Sequence, residues 1–169
     1  MASGLFFRSA SNPYNPKPLA HCYLLCVSSG SAVDRQSNNV SLFSLVEQIN
    51  VSPKAAVSPR GFIPVEVHAY FQLTPKQVHR DFEMRFALLA ESGLETLSDT
   101  FRHRVTAPRF RVRTLGLPYP PVLGQYSLQV DFRMVEEEGR SGAEAAWQRQ
   151  AAAWPLALCE VEKRPRVTH

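Results

Sequence analysis

Three segments of the sequence alternate apolar and polar residues, and this period of two residues constrains the fold more than any other feature. They are Val65–Leu73, Asp81–Leu88 and Gln125–Val135. Because successive side chains of a strand point to opposite faces of a sheet, each segment is predicted to be a strand with one buried face. The predicted buried side chains are Val65, Val67, Ala69, Phe71, Leu73, Phe82, Met84, Phe86, Leu88, Tyr126, Leu128, Val130, Phe132 and Met134. Such runs are typical of antiparallel sheets that pack over a shared core.

Further segments have the composition and alternation of strands. With the three above, the predicted strands are Leu19–Val27, Val40–Ile49, Phe62–Leu73, Asp81–Ala90, Phe101–Leu115, Gln125–Val135 and Leu156–Val161. The alternation slips at 43–45, which predicts a bulge there. Pro108 interrupts the fifth segment, which is therefore one broken strand or two short ones. Polar or proline-containing loops are predicted at 28–39, 50–60 and 116–124.

Residues 143–153 are predicted to form a short C-terminal helix. Ser141 and Glu144 have the spacing of a capping box, the segment is rich in alanine, and Pro155 would end it. Trp147 and Trp154 would lie on one face of this helix and cover an edge of the sheets. The whole pattern predicts a mainly β protein: an antiparallel two-sheet β-sandwich of about seven strands with one short C-terminal helix.

The length of 169 residues suits one domain with irregular ends. The predicted organisation is an irregular N-terminal arm at 1–18, a single β-sandwich domain at 19–163 and a basic tail at 164–169. No apolar run approaches the roughly 18 residues that a membrane-spanning helix needs, so no membrane partner is expected.

The three cysteines are expected to be reduced. On one strand Cys22 and Cys26 would have Cα atoms about 13 Å apart, too far for a disulfide. Cys159 could meet either across a sheet, but small apolar side chains in a reducing compartment are the simpler interpretation. The apolar block at 5–7 is too short for a signal peptide. A cytoplasmic location is therefore expected.

The sequence lacks the local motifs of common active sites. It has no nucleophile elbow, no glycine-rich phosphate loop and no pair of zinc-binding histidines at helical spacing. Glu66, His68 and Tyr70 form a polar row on one strand, but two ligands make a poor metal site. We expect no catalytic residues, no metal and no cofactor. An enzyme whose site is assembled from loops stays an alternative, because such sites leave weak local signals.

The candidate binding residues are five arginines that alternate with other residues and have no acidic residue among them. They are Arg102, Arg104, Arg109, Arg111 and Arg113. The alternation predicts that they line one sheet face, where planar guanidiniums would suit carboxylates or phosphates. An acidic protein surface and a nucleic acid are both possible partners, although the formal net charge is only +4. Alternatively, the arginines form a solvated face and pair with acids on neighbouring strands, for which Glu66, Glu83, Asp131 and Glu136–Glu138 are available.

Three segments carry a resemblance to a known family. These are Cys22–Val27 (CYLLCV), Val40–Ile49 (VSLFSLVEQI) and the proline-led Pro64–Phe71 (PVEVHAYF). In this order they resemble a family of small uncharacterised bacterial proteins, in which similar strands precede a long two-sheet body. The resemblance extends from Leu19 to about Val161 and implies a β-sandwich. It brings no established activity and transfers no site residue, and the predicted alanine- and tryptophan-containing helix departs from the family.

These observations favour a binding function. We expect a non-enzymatic binding or accessory module that presents a sheet face or loops to a protein partner. The alternative is a nucleic-acid-associated protein that uses the arginine-rich strand face, and the second alternative is the enzyme with a loop-built site. The sequence leaves the identity of the partner and the oligomeric state open.

Overall fold

The computed structural model describes residues 21–51, 61–135 and 146–160. Within these ranges the chain forms ten strands and no helix. The strands are β1 (His21–Val33), β2 (Val40–Leu45), β3 (Gln48–Val51), β4 (Phe62–Gln72), β5 (Asp81–Ala90), β6 (Glu95–Leu97), β7 (Phe101–Arg104), β8 (Arg109–Pro118), β9 (Gly124–Met134) and β10 (Gln148–Glu160). The predicted N-terminal arm and basic tail lie outside the described residues.

The strands form two sheets. The smaller sheet has the order β2-β1-β4-β8, and all of its pairs are antiparallel. The larger sheet has the order β3-β10-β9-β5-β6, and β7 also pairs with β5. Among the described strands only β3 and β10 run parallel to each other. The prediction of a mainly β, largely antiparallel protein is confirmed, although the described strands outnumber the seven expected.

The alternating side chains form the core as predicted. Every member of the predicted inward set is buried, so each of these strands has one apolar face that is removed from solvent. Phe71 of β4, which is 0% exposed, lies with its ring centroid 6.0 Å from that of Phe82 in β5 and 6.4 Å from that of Phe132 in β9. Side chains of the two sheets therefore pack against each other.

The chain crosses from the smaller sheet to the larger one between β2 and β3. Ser44 has a left-handed φ of 45° at the end of β2. The N–H of Val46 then donates to Val27 in the smaller sheet (2.9 Å), while the next carbonyl, of Glu47, accepts from Ala157 in the larger sheet (2.7 Å). The prediction of one bulged strand over 40–49 is wrong, because consecutive residues there bond to different sheets.

The predicted C-terminal helix is also wrong over residues 148–153, which are part of β10. β10 has β9 as its neighbour on one side and β3 on the other. The preference of alanine for a helix is below about 1 kcal/mol per residue, and the pairing of β10 with β9 before and after residues 150–152 outweighs it. The register shift of the β10–β9 pair falls between Arg149 and Ala153. Residues 143–145 lie outside the described ranges.

Half of the predicted loop at 28–39 is strand. β1 continues to Val33 and pairs with β2 from Ser28 opposite Leu45 to Val33 opposite Val40. The turn is confined to 34–39, where the carbonyl of Asp34 accepts from the N–H of Asn38. The polar composition of this segment masked the hairpin. In the described part of the chain, no helix is long and apolar enough to cross a membrane.

Candidate binding site

The five arginines of the predicted stripe are divided between the two sheets. The larger sheet holds Arg102 and Arg104, in β7. The smaller sheet holds Arg109, Arg111 and Arg113, in β8. The predicted break at Pro108 is confirmed, but it is a crossing between sheets. The prediction that all five line one sheet face is therefore wrong.

The two β7 arginines contact a carboxylate of the neighbouring strand. Arg102 donates to Asp81 Oδ2 from Nη2 (2.9 Å) and from Nε (3.2 Å). Arg104 Nη1 lies 4.0 Å from the other oxygen of the same carboxylate. In this part of the stripe, the arginines pair with an acid on a neighbouring strand, as the alternative interpretation of the sequence predicts.

The three β8 arginines lie on the outward face of the smaller sheet. They stand opposite Gln72, Tyr70 and His68 of β4, whereas the intervening residues of β8 stand opposite inward-facing positions such as Phe71. Of the three, Arg113 alone approaches a described carboxylate, with Nη1 3.8 Å from Glu66 Oε1. It also donates to Ser31 Oγ at 3.4 Å.

Arg109 and Arg111 have neutral neighbours on β4 in the described part of the chain. Arg109 Nε donates to the amide oxygen of Gln72 at 2.9 Å. Arg111 stands opposite Tyr70 and acts to lower the pKa of its phenol. No described carboxylate oxygen lies within 4.0 Å of either guanidinium. Both guanidiniums therefore carry positive charge that the described acidic groups do not neutralise directly.

An open groove of about 390 Å³ runs along these two arginines. Tyr23 and Tyr70 line it beside them, and Asn38 and Val40 line it from the turn of the β1–β2 hairpin. The two tyrosine rings have centroids 6.1 Å apart and an interplanar angle of 54°. Burial raises the pKa of Tyr70, while Arg111 acts in the opposite direction. The phenol stays neutral at pH 7, so the groove combines two cations with neutral aromatic and amide groups.

A buried polar cluster lies next to the groove on the same sheet face. It contains Ser28, Ser31, Glu66 and His68. His68 Nε2 lies 3.1 Å from Ser28 Oγ and 3.3 Å from Glu66 Oε2, and Ser31 Oγ donates to the same Glu66 oxygen at 2.6 Å. Both Ser28 and His68 are 0% exposed.

This cluster has the residue types of a catalytic triad but a different geometry. In a triad the serine and the acid bind opposite nitrogens of the imidazole, so that the acid orients the ring. Here both approach Nε2, and the buried Nδ1 has no hydrogen-bond partner. Ser28 Oγ is also inaccessible to a substrate. The arrangement therefore does not activate this serine as a nucleophile.

The buried histidine makes stability depend on pH. Burial lowers the pKa of His68 below its ordinary value of 6.5, Glu66 opposes this shift, and Arg111 and Arg113 add to it. The unfolded chain therefore binds a proton at this site at a higher pH than the folded chain does. We expect the contribution of His68 to stability to decrease as the pH falls below about 6.5.

Urea unfolding of the wild type and of His68→Gln between pH 7.5 and 5 measures this dependence. The free energy of unfolding should fall more steeply with decreasing pH in the wild type than in the variant, because glutamine does not titrate. Equal slopes for the two proteins would contradict the assignment.

The larger sheet carries a second charged cluster, centred on Asp131 of β9. This carboxylate is 2% exposed and stands between Arg85 of β5 and Arg149 of β10. Arg149 donates from Nε to Oδ1 (2.8 Å) and from Nη2 to Oδ2 (3.2 Å), and Arg85 Nε donates to Oδ2 (3.2 Å). Burial acts to raise the pKa of Asp131, but the two arginines lower it overall. Arg149 also binds Glu95.

Trp147 belongs to the same cluster. Two guanidiniums contact its ring, with Arg85 Cζ 4.4 Å and Arg133 Cζ 4.6 Å from the ring centroid. Arg133 Nη2 is also 2.8 Å from Glu83 Oε2. Trp154 lies elsewhere, and its indole N–H donates to the carbonyl of Val46 at 2.8 Å. The prediction that the two tryptophans share a helix face is therefore wrong.

The local sequence pattern did not predict this second cluster. It favoured a helix at Trp147 and offered Glu83 and Asp131 only as acids for the arginine stripe. The signal was present in the alternation of β5 and β9, whose outward positions carry charges of both signs. Registers that place Arg85 opposite Asp131 and Glu83 opposite Arg133 turn that signal into ion pairs.

The described residues offer little for metal or thiol chemistry. Within 21–51, 61–135 and 146–160, no three His, Cys, Asp or Glu side chains are placed to hold a metal ion. The three cysteines are free. Burial raises the pKa of Cys22 to about 11, so its thiol is protonated at neutral pH.

A scan against protein-family models and a search of curated proteins found no match for this chain. The resemblance to the bacterial family therefore stays a prediction.

Proposed function

We propose that this chain is a non-enzymatic binding module that holds a protein partner on the outward face of its smaller sheet. We further propose that its two sheets close over their common apolar side chains as a single β-sandwich domain. The contacts of Phe71 with Phe82 and Phe132 support this architecture. A rigid body of this kind would keep the outward face in a fixed shape for binding.

The observation that carries the proposal is that no described carboxylate pairs with Arg109 or Arg111. The β7 arginines share a described carboxylate, whereas these two have neutral neighbours on β4 and line an open groove with Tyr23 and Tyr70. Arginine and tyrosine are enriched where proteins bind each other, because both combine apolar contact with directed hydrogen bonds. A guanidinium fork also binds a carboxylate with two parallel hydrogen bonds. The partner is therefore expected to present acidic side chains to the groove.

Affinity capture with three forms of the chain tests this proposal. The wild type, Arg109→Ala/Arg111→Ala and Arg102→Ala/Arg104→Ala are immobilised, and proteins retained from a lysate of the source organism are quantified. We expect one protein to be retained in stoichiometric amount by the wild type and by the β7 variant, and to be lost from the β8 variant. The two double variants remove the same charge, so equal retention by both would overturn the proposal.

Nucleic-acid binding is a second candidate, favoured by the two tyrosine rings beside the guanidiniums. Bases stack on aromatic rings while arginines contact phosphates. This function predicts that the affinity for single-stranded DNA or RNA decreases steeply with salt. It also predicts that Arg109→Ala/Arg111→Ala binds the nucleic acid more weakly than the wild type does. Absence of binding in low salt would eliminate it.

A further inference from the structure

β8 is the last strand of the smaller sheet among the described strands. It pairs with β4 on one side, and no described strand lies on its other side. A strand in this position presents a row of free backbone N–H and C=O groups, to which another extended chain can bind.

The hydrogen-bonding pattern of β8 places the backbone groups of its arginines on this open edge. The N–H of Leu73 donates to the carbonyl of Pro108 at 2.7 Å, which makes these two residues a hydrogen-bonded pair in the β4–β8 register. Backbone groups of successive strand residues point to opposite sides. Residues 110, 112 and 114 therefore direct their N–H and C=O groups towards β4. Arg109, Arg111 and Arg113 direct theirs away from the sheet.

We infer that β8 accepts an extended acidic segment of the partner as an added antiparallel strand. This inference rests on the proposed function and specifies how the partner binds. The segment would carry acidic side chains at alternate positions, opposite Arg109, Arg111 and Arg113. Each arginine contributes a backbone donor, a backbone acceptor and a side-chain cation to the same partner residue.

Strand geometry explains the alternating pattern. Residues directly opposite each other in an antiparallel pair point to the same face, with Cβ atoms about 4.5–5.5 Å apart. Alternate residues of an extended chain are about 6.8 Å apart, which is also the spacing between successive arginines of β8. Acidic residues at alternate positions thus meet one guanidinium each, whereas three contiguous acidic residues would direct at least one of their charges to the opposite face.

Leu115 extends the pattern by one position. It follows Arg113 on the outward face, stands opposite Glu66 and is 69% exposed. In an antiparallel segment, the residue opposite Leu115 precedes those opposite the arginines. The structure therefore specifies an apolar residue followed by three acidic residues, each separated by one residue of any type.

Calorimetric titration of the full chain with synthetic peptides tests the inference. The probe is Leu-Thr-Glu-Thr-Glu-Thr-Glu, and the matched control has the same composition with its three glutamates contiguous. We expect the alternating peptide to bind about tenfold more tightly or better, because only it places every carboxylate beside an arginine. Equal affinities would show charge attraction without strand addition and would overturn the inference.

N-methylated peptides test the backbone contacts. Methyl groups on the amides of the three glutamates should abolish binding, because these amides donate to the arginine carbonyls in the antiparallel arrangement. Methyl groups on the threonine amides, which point away from β8, should leave the affinity unchanged. The reverse result would overturn the antiparallel arrangement.

The peptide and capture experiments separate the two claims. If neither peptide binds while capture depends on Arg109 and Arg111, strand addition fails and the proposed function stands. If a single-stranded oligonucleotide of equal charge binds more tightly than the alternating peptide, both claims are overturned in favour of nucleic-acid binding.

Discussion

Replacement of Phe71 with alanine is expected to lower the free energy of unfolding by about 3–5 kcal/mol. Phe71 is fully buried, its ring stacks on Phe110 with centroids 5.0 Å apart, and it contacts Phe82 and Phe132 of the other sheet. Alanine would remove contacts on both sides of the core and leave a cavity that neighbouring strands cannot close. Urea unfolding measured by far-UV circular dichroism gives the difference.

Phe62 provides a matched control on the same strand. It is 62% exposed, so Phe62→Ala should change the free energy of unfolding by less than about 0.5 kcal/mol. If Phe71→Ala does not fold, Phe71→Leu should fold and lose about 1–2 kcal/mol, because leucine fills most of the site. Equal effects of Phe71→Leu and Phe62→Ala would contradict the central position of Phe71.

Asp131→Asn is expected to lower the free energy of unfolding by about 2–4 kcal/mol. The substitution keeps the shape of the buried side chain but removes the charge that accepts hydrogen bonds from Arg85 and Arg149. The two guanidiniums would then lack the carboxylate that lies between them, although Arg149 would keep its contact with Glu95. The effect is at the lower end for a buried ion pair, because both arginines are partly exposed.

The contacts of Asp131 with the two arginines also predict how stability responds to acid. The pKa of Asp131 is lower in the folded chain than its ordinary value of 3.8, so the unfolded chain takes up a proton first as the pH falls. The contribution of Asp131 is complete above about pH 5 and is lost as the pH falls through the folded pKa. Between pH 5 and 2.5 the wild type should lose more stability than Asp131→Asn.

Asp81→Asn is the control for both measurements. Asp81 accepts from Arg102, whose side chain is 59% exposed, and such pairs contribute about 0–1 kcal/mol. A loss as large as that of Asp131→Asn would show that burial does not distinguish the two carboxylates.

The sequence predicts the strands whose two faces differ, and it misses those whose neighbours decide their structure. The alternation of β4, β5 and β9 correctly identified the core, because one face of each strand is apolar throughout. β10 contains the alanine run 151–153, and its strand structure there comes from pairing with β9 on either side of the run, which no local pattern reveals. Serine and glycine at 28–33 likewise suggested a loop, whereas pairing with β2 keeps them in β1.

The candidate site was partly predictable. Alternation correctly identified the arginines of β8 as one outward row, but it could not show that the chain changes sheets at Pro108. The difference between the paired β7 arginines and the neutral contacts of Arg109 and Arg111 depends on cross-strand registers. The burial of Ser28 and His68 on an outward face is also absent from the local pattern, because the strand period assigns His68 to solvent and the composition around Ser28 predicts a loop.

The most direct test of the proposed binding surface is one calorimetric titration performed on three proteins. The alternating acidic peptide is added to the wild type, to Arg109→Ala/Arg111→Ala and to Arg102→Ala/Arg104→Ala. We expect the β8 substitutions to weaken binding by about tenfold or more, and the β7 substitutions to change it by less than about twofold. Equal weakening by the two pairs would mean that net charge alone attracts the peptide, and it would contradict a binding site on β8.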